Sequence, residues 1–373
     1  MNLPRVRSRF QALALLLLAA LAPLLGLGCG SDSVLRPKPK APQPLPPGTP
    51  GTWQGLGLSN GFVEVEALTS WNGNLIAGGS YLEAGSLASW DGATWTRMGP
   101  AFGSDVLALT VYNGHLVAGG AFPHINGDTI RYVGEFDGVK WSPLGSGPNR
   151  GISALAVYDG DLIMGGLFET AGGVPTSNIA RWDGTSWHPL GGGLNNAVWA
   201  LTVYHGQLVA GGYFDKADGA LSPGIAAWNG TSWSSIGGGV GGGVFGNPYG
   251  TVFSLAVHGD SLIAGGGFTT AGGVPAYHVA KWDGAKWDSL GSGLGQYSYE
   301  YVRSLAEYGD TLVAGGSFPD NVLRWDGSAW HPMGSLNGHV GALTTYQGWL
   351  IAGGFFPPEG AQQANGIARW VSP

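Results

Sequence analysis

Two stretches of the chain bring aromatic and polar side chains together in a way that suits ligand recognition. One reads Gln-Tyr-Ser-Tyr-Glu-Tyr over 296–301, and the other reads Phe-Gly-Asn-Pro-Tyr over 245–249. Tyrosine and asparagine in connecting segments offer rigid contact area with a polar tip, and such rings can also stack on a sugar. The alternative is that these rings cover the edges of a packed core. The binding residues predicted here are Tyr297, Tyr299, Glu300, Tyr301, Asn247 and Tyr249.

Two further stretches place oxygen-bearing side chains close together. One runs from His124 to Asp128, and the other from Asp215 through Asp218 to a glycine. A calcium loop would need carboxylates at alternating positions before the glycine, which neither stretch provides. We interpret both as turns that add His124, Asp128, Asp215 and Asp218 to the predicted binding surface, with calcium as a minor alternative. No metal site, cofactor or catalytic residue is predicted.

A repeat must position all of these residues. A diglycine that follows Ala or Met at the end of an apolar run recurs in each unit, beginning at Gly78, Gly119, Gly165, Gly211, Gly265, Gly315 and Gly353. Each unit reads as four short strands, named A to D here, which are rich in β-branched, aromatic and small residues and are bounded by turn residues. Typical members are A at 198–204, B at 207–213, C at 179–183 and D at 187–191. A four-stranded unit repeated about every 40–50 residues predicts an all-β, seven-bladed β-propeller of antiparallel strands.

The seventh unit lacks its strand D, because the sequence ends soon after Trp370. Residues 52–57 read Thr-Trp-Gln-Gly-Leu-Gly and resemble the strand D pattern of 186–191, so we predict that they complete the last blade and close the ring. Deleting them should remove about four ladder hydrogen bonds of ~1 kcal/mol each. It should also remove a buried Trp worth ~3–5 kcal/mol, a total comparable with the ~5–15 kcal/mol stability of a domain.

The diglycine that ends strand B, the aromatic residue of strand C and the Trp of strand D together resemble a kelch-type propeller blade. Residues 265–291 carry the pattern most clearly, and it is similar to repeats of large bacterial surface proteins and of fungal polarity markers. The resemblance covers 52–373 and implies the fold, with little information about function. A copper radical oxidase of the galactose oxidase kind needs a cysteine, and none follows Cys29.

The first 51 residues have the character of a targeting segment and a spacer. Residues 1–29 combine three arginines, an apolar run and Cys29, the only cysteine of the chain, which resembles a bacterial lipoprotein cleavage site. Lipidation of Cys29 would anchor the protein to a membrane, whereas the alternatives are an ordinary secretory signal or an uncleaved anchor. Residues 30–51 are rich in proline and predict an extended linker. We therefore expect an exported protein, lipid-anchored at the bacterial outer membrane, at the cell surface or in the periplasm.

Composition narrows the class of partner. The formal net charge is −7 and charged residues make up only 11% of the chain, which argues against a nucleic-acid partner because no basic face is available. With Cys29 as the only cysteine, the propeller has no disulfides and depends on packing. We expect a monomer.

The strand order places the short A–B and C–D turns on one face and the variable D–A and B–C connections on the other. Function often resides on variable connections of a rigid scaffold, so this variable-loop face is the predicted binding surface. The predicted function is a non-catalytic binding or scaffold module for a protein partner or a cell-surface glycan. The alternatives are a carbohydrate-active hydrolase or lyase at the channel mouth, where acids such as Asp105 and Glu300 would converge, and a lectin-like sugar binder with several equivalent pockets.

Overall fold

The computed structural model describes residues 51–58, 64–80, 86–99, 102–125, 130–243, 248–295, 300–356 and 365–372. Within these ranges the chain is all β and contains no helix. Accordingly, no described segment forms a helix with the length and apolar character needed to cross a membrane. Cys29, Asp128, Asn247, Tyr297 and Tyr299 lie outside the described residues.

Every repeat begins with a long A–B hairpin. The A strands are Glu64–Trp71, Val106–Tyr112, Ile152–Tyr158, Val198–Tyr204, Thr251–His258, Tyr301–Tyr308 and His339–Tyr346. The B strands are Asn74–Ser80, His115–Gly120, Asp161–Gly166, Gln207–Gly212, Ser261–Gly267, Thr311–Ser317 and Trp349–Phe355.

Shorter C and D strands follow each hairpin. The C strands are Leu87–Trp90, Val133–Phe136, Ile179–Trp182, Ile225–Trp228, Val279–Trp282, Val322–Trp325 and Ile367–Val371. The D strands are Trp95–Arg97, Trp141–Pro143, Trp187–Pro189, Trp233–Ser235, Trp287–Ser289 and Trp330–Pro332. The N-terminal strand Thr52–Gly55 pairs antiparallel with Ile367–Val371, so it occupies the strand D position of the seventh repeat.

Neighbouring strands pair in the order A-B-C-D throughout. Repeats two to six each form a four-stranded antiparallel sheet. Repeats one and seven belong to one larger sheet, because Glu64 at the start of the first strand A bridges to Phe355 at the end of the last strand B. The predicted strand order is therefore observed, and the ends of the repeat array lie in contact.

The B–C connections contain structure that the sequence pattern did not predict. In repeats three to five, this connection folds into a two-residue hairpin: Thr170–Ala171 with Val174–Pro175, Lys216–Ala217 with Ala220–Leu221, and Thr270–Ala271 with Val274–Pro275. The preceding D–A connection pairs with the hairpin, through a bridge from Pro148 to Ala171, another from Leu194 to Ala217, and the strand Val240–Gly241. The variable-loop face is therefore ordered by short additional sheets.

Turn residues have the conformations that their types favour. In the A–B turn at Asn113-Gly114, both residues have positive φ, 49° and 83°, as a type I′ hairpin turn requires. In the C–D turn at Asp283-Gly284, the Asp283 carboxylate instead accepts hydrogen bonds of 2.8 Å from the backbone N–H groups of Ala285 and Lys286. The same pair of bonds forms in every other C–D turn, at Asp91, Asp137, Asp183, Asn229 and Asp326.

The first glycine of each diglycine is the point where neighbouring repeats meet most closely. A Cβ at Gly211 would lie 2.6 Å from Cγ1 of Val252 and 3.4 Å from Cδ1 of Leu255, both in strand A of the next repeat. The equivalent contact at the ends of the array joins Gly353 to Val65 and Leu68. The diglycine therefore allows each strand B to lie directly against the next strand A.

Tryptophans of strand D join the repeats at their outer edges. Nε1 of Trp233 donates a 2.9 Å hydrogen bond to the carbonyl oxygen of Leu190 in the preceding repeat. Trp95, Trp187, Trp287 and Trp330 make the equivalent bond. Nε1 of Trp53 and of Trp141 is buried without a hydrogen-bond partner, so the series is incomplete at two positions.

The C–D turns predict a specific acid sensitivity. Backbone N–H donors in the turn hold the pKa of Asp283 below its usual value. A carboxyl whose pKa is depressed on folding stabilises the protein above its unfolded pKa of about 3.9, and that contribution is lost as the pH falls through the folded pKa. Asp283→Asn should therefore reduce stability at pH 7 and have a smaller effect at pH 2, measured by urea unfolding at both values.

Asn229 is the natural control for this prediction, because it accepts the same two bonds without titrating in this range. Asn229→Asp should produce the opposite pattern, with stability gained at pH 7 and lost on acidification. A stability difference between wild type and Asp283→Asn that is unchanged at pH 2 would show that the carboxylate charge is not the cause.

Candidate functional site at the mouth of the central cavity

Every strand A contains a register shift at the same place. In the first repeat Val65 is opposite Gly79 and Ala67 is opposite Gly78, so Glu66 is an additional, unpaired residue. The same shift recurs in each of the other six repeats. Such a β-bulge bends the strand and redirects a side chain. Here it lies opposite the diglycine.

The seven bulge residues line one cavity of about 230 Å³. The set comprises Glu66, Leu107, Ser153, Trp199, Phe253, Arg303 and Gly341, one from each strand A. We call this set the bulge ring. It lies near the start of the A strands, where the D–A connections enter, so its open side belongs to the variable-loop face.

Deeper positions along the A strands are nearly uniform. The residue after the bulge is Ala in five repeats and Ser in two, and the next residue is Leu in all seven. The leucines are Leu68, Leu109, Leu155, Leu201, Leu255, Leu305 and Leu343. Small residues and a leucine layer thus form a nearly constant base, whereas the bulge ring and the residues two positions before it differ from repeat to repeat.

An ion pair spans the bulge ring. Nη2 of Arg303 lies 3.2 Å from Oε2 of Glu66, and the two side chains are only 23% and 16% exposed. They belong to repeats six and one, with Gly341 of repeat seven between them. A Cβ at Gly341 would lie 2.7 Å from the Val65 carbonyl oxygen and 3.3 Å from Oε2 of Glu66, so this position has no room for a side chain beside the pair.

Aromatic side chains form the opposite wall. The ring centroids of Trp199 and Phe253 are 6.3 Å apart, and the Arg303 guanidinium carbon lies 5.8 Å from each of them. Tyr301 packs edge-on against Phe253 at 5.5 Å. A guanidinium at this distance is attracted by the ring faces. Arg303 is thereby held by a carboxylate on one side and by two aromatic rings on the other.

Further titratable groups surround the mouth. Burial raises the pKa of Glu66, the Arg303 guanidinium opposes this, and the neighbouring Glu64 carboxyl adds to the rise. Nε2 of His339 lies 2.9 Å from Oε1 of Glu64. Burial, with a smaller effect from Glu64, also raises the pKa of Asp105. Raised carboxyl pKa values in a cleft are typical of functional sites.

The predicted binding residues are distributed differently from this cavity. Tyr301 reaches the mouth through Phe253, and Glu300 precedes it as a buried residue whose carboxylate lies against Gly295. His124 is exposed beside Gly103, and Tyr249 is 38% exposed on the variable-loop face. The structure therefore brings only Tyr301 of the described candidates to the bulge ring.

The two predicted acidic side chains of repeat four support the local backbone. Oδ1 of Asp218 accepts a 2.6 Å hydrogen bond from the Gly192 N–H, and Oδ2 accepts one of 2.7 Å from the Trp233 N–H. Asp215 accepts a 2.6 Å bond from the Asn195 amide. Across the described part of the chain, no three His, Cys, Asp or Glu side chains are grouped so that they could hold a metal ion.

Comparison with solved structures places the architecture among known proteins. No protein-family model and no curated protein matches the chain. Among solved structures, the extracellular domain of a putative hybrid two-component system from B. thetaiotaomicron matches 86% of this chain at a TM-score of 0.58 and 12% identity. This chain spans 39% of that structure's length.

Two further structures match over nearly their whole length. A catalytically inactive virginiamycin B lyase from Staphylococcus aureus has a TM-score of 0.59 at 12% identity and covers 87% of this chain and 100% of its own. The WD40 propeller domain of Doa1 has a TM-score of 0.54 at 16% identity and covers 83% and 94%. At such low identity these matches show the fold alone, and the protein is therefore a β-propeller protein.

No residue of the bulge ring is among the binding residues predicted from the sequence, although the sequence contains a signal. In an alignment of the seven A strands, the bulge position is the one at which Glu, Leu, Ser, Trp, Phe, Arg and Gly all occur. Its flanking positions hold Val or Ile before it and Ala or Ser after it. A position that varies this widely between nearly constant neighbours is free of the packing that the repeat requires.

The ion pair gives a stability prediction for the site. Arg303→Met should lower the free energy of unfolding by roughly 2 kcal/mol at pH 7, because it leaves the Glu66 carboxylate desolvated without a partner. The deficit should shrink as the pH falls towards 4, because Glu66 then takes up a proton. Urea unfolding at pH 7 and pH 4 measures both effects.

The double variant Glu66→Gln/Arg303→Met is the control for that prediction. It removes both charges and should regain most of the lost stability. If the double variant is as unstable as the two single variants added together, the two side chains do not interact.

Proposed function

We propose that the seven repeats are the blades of a closed, kelch-like seven-bladed propeller, and that Thr52–Gly55 completes the last blade. The pairing of Trp53 with Trp370 supports this, as does the 2.8 Å hydrogen bond from the Tyr346 hydroxyl to the Gly73 carbonyl oxygen. Trp95 also donates to the Leu56 carbonyl oxygen directly after the closing strand. Closure removes exposed strand edges, which otherwise invite aggregation.

A closed ring predicts that a single added methyl group at Gly353 lowers the stability of the protein. A Cβ at Gly353 would lie 2.5 Å from Cγ1 of Val65 in the first repeat, so Gly353→Ala should destabilise the protein by about 1–3 kcal/mol through overpacking. Val65→Ala in the same chain should restore part of this loss. Urea unfolding measures both variants.

Gly192→Ala is the matched control, because the atom nearest to its added Cβ is 3.4 Å away and its backbone is not left-handed. It should change stability little. If Gly353→Ala is equally harmless, the first and last repeats do not pack as a closed ring requires.

For localisation we propose export and lipid anchoring at Cys29, followed by the proline-rich linker of 30–51. The support is the sequence pattern of the first 29 residues and the position of the only cysteine at its end. The anchor would place the propeller at the outer membrane, at the cell surface or in the periplasm.

We further propose that the protein is a non-catalytic binding module whose ligand enters the mouth of the central cavity from the variable-loop face. The observation that carries this proposal is the bulge ring. One repeated backbone position bears seven different side chains, and all seven line one cavity of about 230 Å³. A small, concave site with a few convergent polar groups is the usual form of a ligand site. A protein partner or a cell-surface glycan would present that ligand.

A carbohydrate-active enzyme is the second candidate, favoured by the raised pKa values of Glu66 and Asp105. Glycosidases hold their two carboxyl groups about 5–5.5 Å or 6.5–9.5 Å apart, so that a sugar or a water fits between them. Glu66 instead has Glu64 as a neighbour that helps to raise its pKa. Arg303 and His339 also engage these two carboxylates directly. Because these carboxylates are paired with Arg303 and His339, the arrangement favours a binding role over glycoside hydrolysis.

The test is thermal unfolding of the full-length protein in mild detergent with three probes: calcium chloride, chitooligosaccharides and soluble peptidoglycan fragments. A ligand present at about 100 times its Kd adds about 2.7 kcal/mol of stability, which raises Tm by several degrees. We expect one of the organic probes to raise Tm in the wild type but not in Trp199→Ala. Release of new reducing ends during incubation would favour the enzyme.

Trp349→Ala is the matched control, because Trp349 packs beneath the Arg369 guanidinium at 3.9 Å and lies at an A–B turn, away from the bulge ring. It should keep the ligand response. If the response survives in Trp199→Ala, the ligand does not bind at the cavity mouth.

A further inference from the structure

We propose that the cavity mouth selects a small organic cation, a protonated amine or a guanidinium, whose apolar part lies against Trp199 and Phe253. This inference rests on the proposed binding function and names the ligand class for that same site. It is carried by the charges at the mouth, by the aromatic wall and by the size of the cavity.

Carboxylates outnumber fixed cations around the mouth. Glu66 and Glu64 of the first repeat lie against Arg303 of the sixth repeat and His339 of the seventh. Asp105 of the second repeat lies two residues before the bulge residue Leu107, the position that Glu64 has in the first repeat. Arg303 neutralises Glu66, and His339 lies against Glu64. Among these three carboxylates, Asp105 is then the one that is not paired with Arg303 or His339.

No hydrogen bond or ion pair engages the Asp105 carboxylate among the residues that the structure describes, although the side chain is half-buried. Besides burial, the like charge of Glu64 raises the pKa of Asp105. A carboxylate that is partly desolvated and faces another carboxylate is unfavourable in the empty protein. A bound cation would remove that cost, so the mouth is complementary to positive charge.

The aromatic wall is complementary to the rest of such a ligand. Trp199 and Phe253 line the cavity and are half-buried, with Leu107 and Ser153 at neighbouring positions of the bulge ring. Both rings already attract one guanidinium, that of Arg303, at 5.8 Å. Aromatic faces and carboxylates together recognise cations that carry apolar carbon, as in known ammonium-binding cages.

The size of the cavity separates an organic cation from a metal ion. The volume of about 230 Å³ is below the range of roughly 300–1,000 Å³ typical of sites for drug-sized ligands. It suits one amino-acid side chain or a single amino sugar. Within the described part of the chain, the mouth carboxylates are not grouped to hold a metal ion.

The test compares two probes that differ only in charge. Acetyl-arginine amide and acetyl-citrulline amide have nearly the same shape, but citrulline is neutral. Calorimetric titration of the full-length protein at low salt should give at least about tenfold tighter binding for the arginine probe, as expected when a charge-assisted contact replaces a neutral one. The preference should decline at high salt, because screening weakens contacts between charges.

Asp105→Asn distinguishes a ligand contact from a structural role. We expect it to weaken arginine-probe binding about tenfold and, in the same protein without probe, to raise Tm, because the repulsion by Glu64 is removed. Asp310→Asn removes an equal charge from an exposed A–B turn on the opposite face and should alter neither quantity. A structural role for Asp105 would lower Tm instead.

The source of the cation is resolved by a second pair of probes. A hexapeptide with one arginine between glycines that binds more tightly than acetyl-arginine amide indicates a basic side chain of a protein partner. Equal affinities indicate a free small cation, and both results support the proposal.

Other outcomes refute the proposal, and they distinguish the ligand class from the binding site. Equal binding of the arginine and citrulline probes, or tighter binding of neutral chitooligosaccharide that Trp199→Ala abolishes, refutes the cation class but keeps the cavity mouth as the binding site. Binding of the arginine probe that is unaffected by both Trp199→Ala and Asp105→Asn refutes the site itself. Absence of binding by the arginine probe at millimolar concentration refutes the cation proposal.

Discussion

The structure depends on a contact that only glycine permits. Where a strand B ends, its first glycine lies against Val or Ile and, in most repeats, Leu of the next strand A, at a distance that excludes a Cβ. A Cβ on the second glycine would overlap the carbonyl oxygen of the residue at, or directly before, the start of the repeat's own strand A. This double restriction draws the A strands close together and sets the spacing between successive repeats. Packing at this density tolerates little change in volume.

The same constraint creates the candidate site. The bulge of each strand A lies opposite the diglycine, where two residues of strand A face one glycine. The additional residue cannot join the packing between repeats, so it projects into the cavity. Packing thus requires Val or Ile before the bulge and Leu beyond it, while the bulge residue is unconstrained. Glu66, Trp199 and Arg303 occupy this position without disturbing the repeat.

The repeat made much of the fold predictable from sequence, because strands, turns and blade packing are local or recur at a fixed interval. The observed strand Val198–Tyr204 has the predicted limits, and Thr52–Gly55 pairs where the N-terminal strand was expected. The candidate site was harder to predict from the sequence, because its residues are far apart along the chain. Glu66 and Arg303 are separated by 237 positions, and nothing in either segment indicates that the two meet. Asp218 resembled a ligand residue, but its carboxylate accepts the backbone N–H groups of Gly192 in the D–A connection and of Trp233 in strand D.

The arrangement of polar residues also bears on the kind of binding. A lectin-like protein with several equivalent pockets needs recognition groups that recur with the repeat. The recurring carboxylates are those of the C–D turns, such as Asp137 and Asp283, and each already accepts two N–H groups of its own turn. The groups that do not recur are those of the bulge ring, which converge on one cavity. A repeated scaffold in which seven different bulge residues meet at the centre is suited to one asymmetric ligand per molecule, because each strand A contributes a different contact to the same volume.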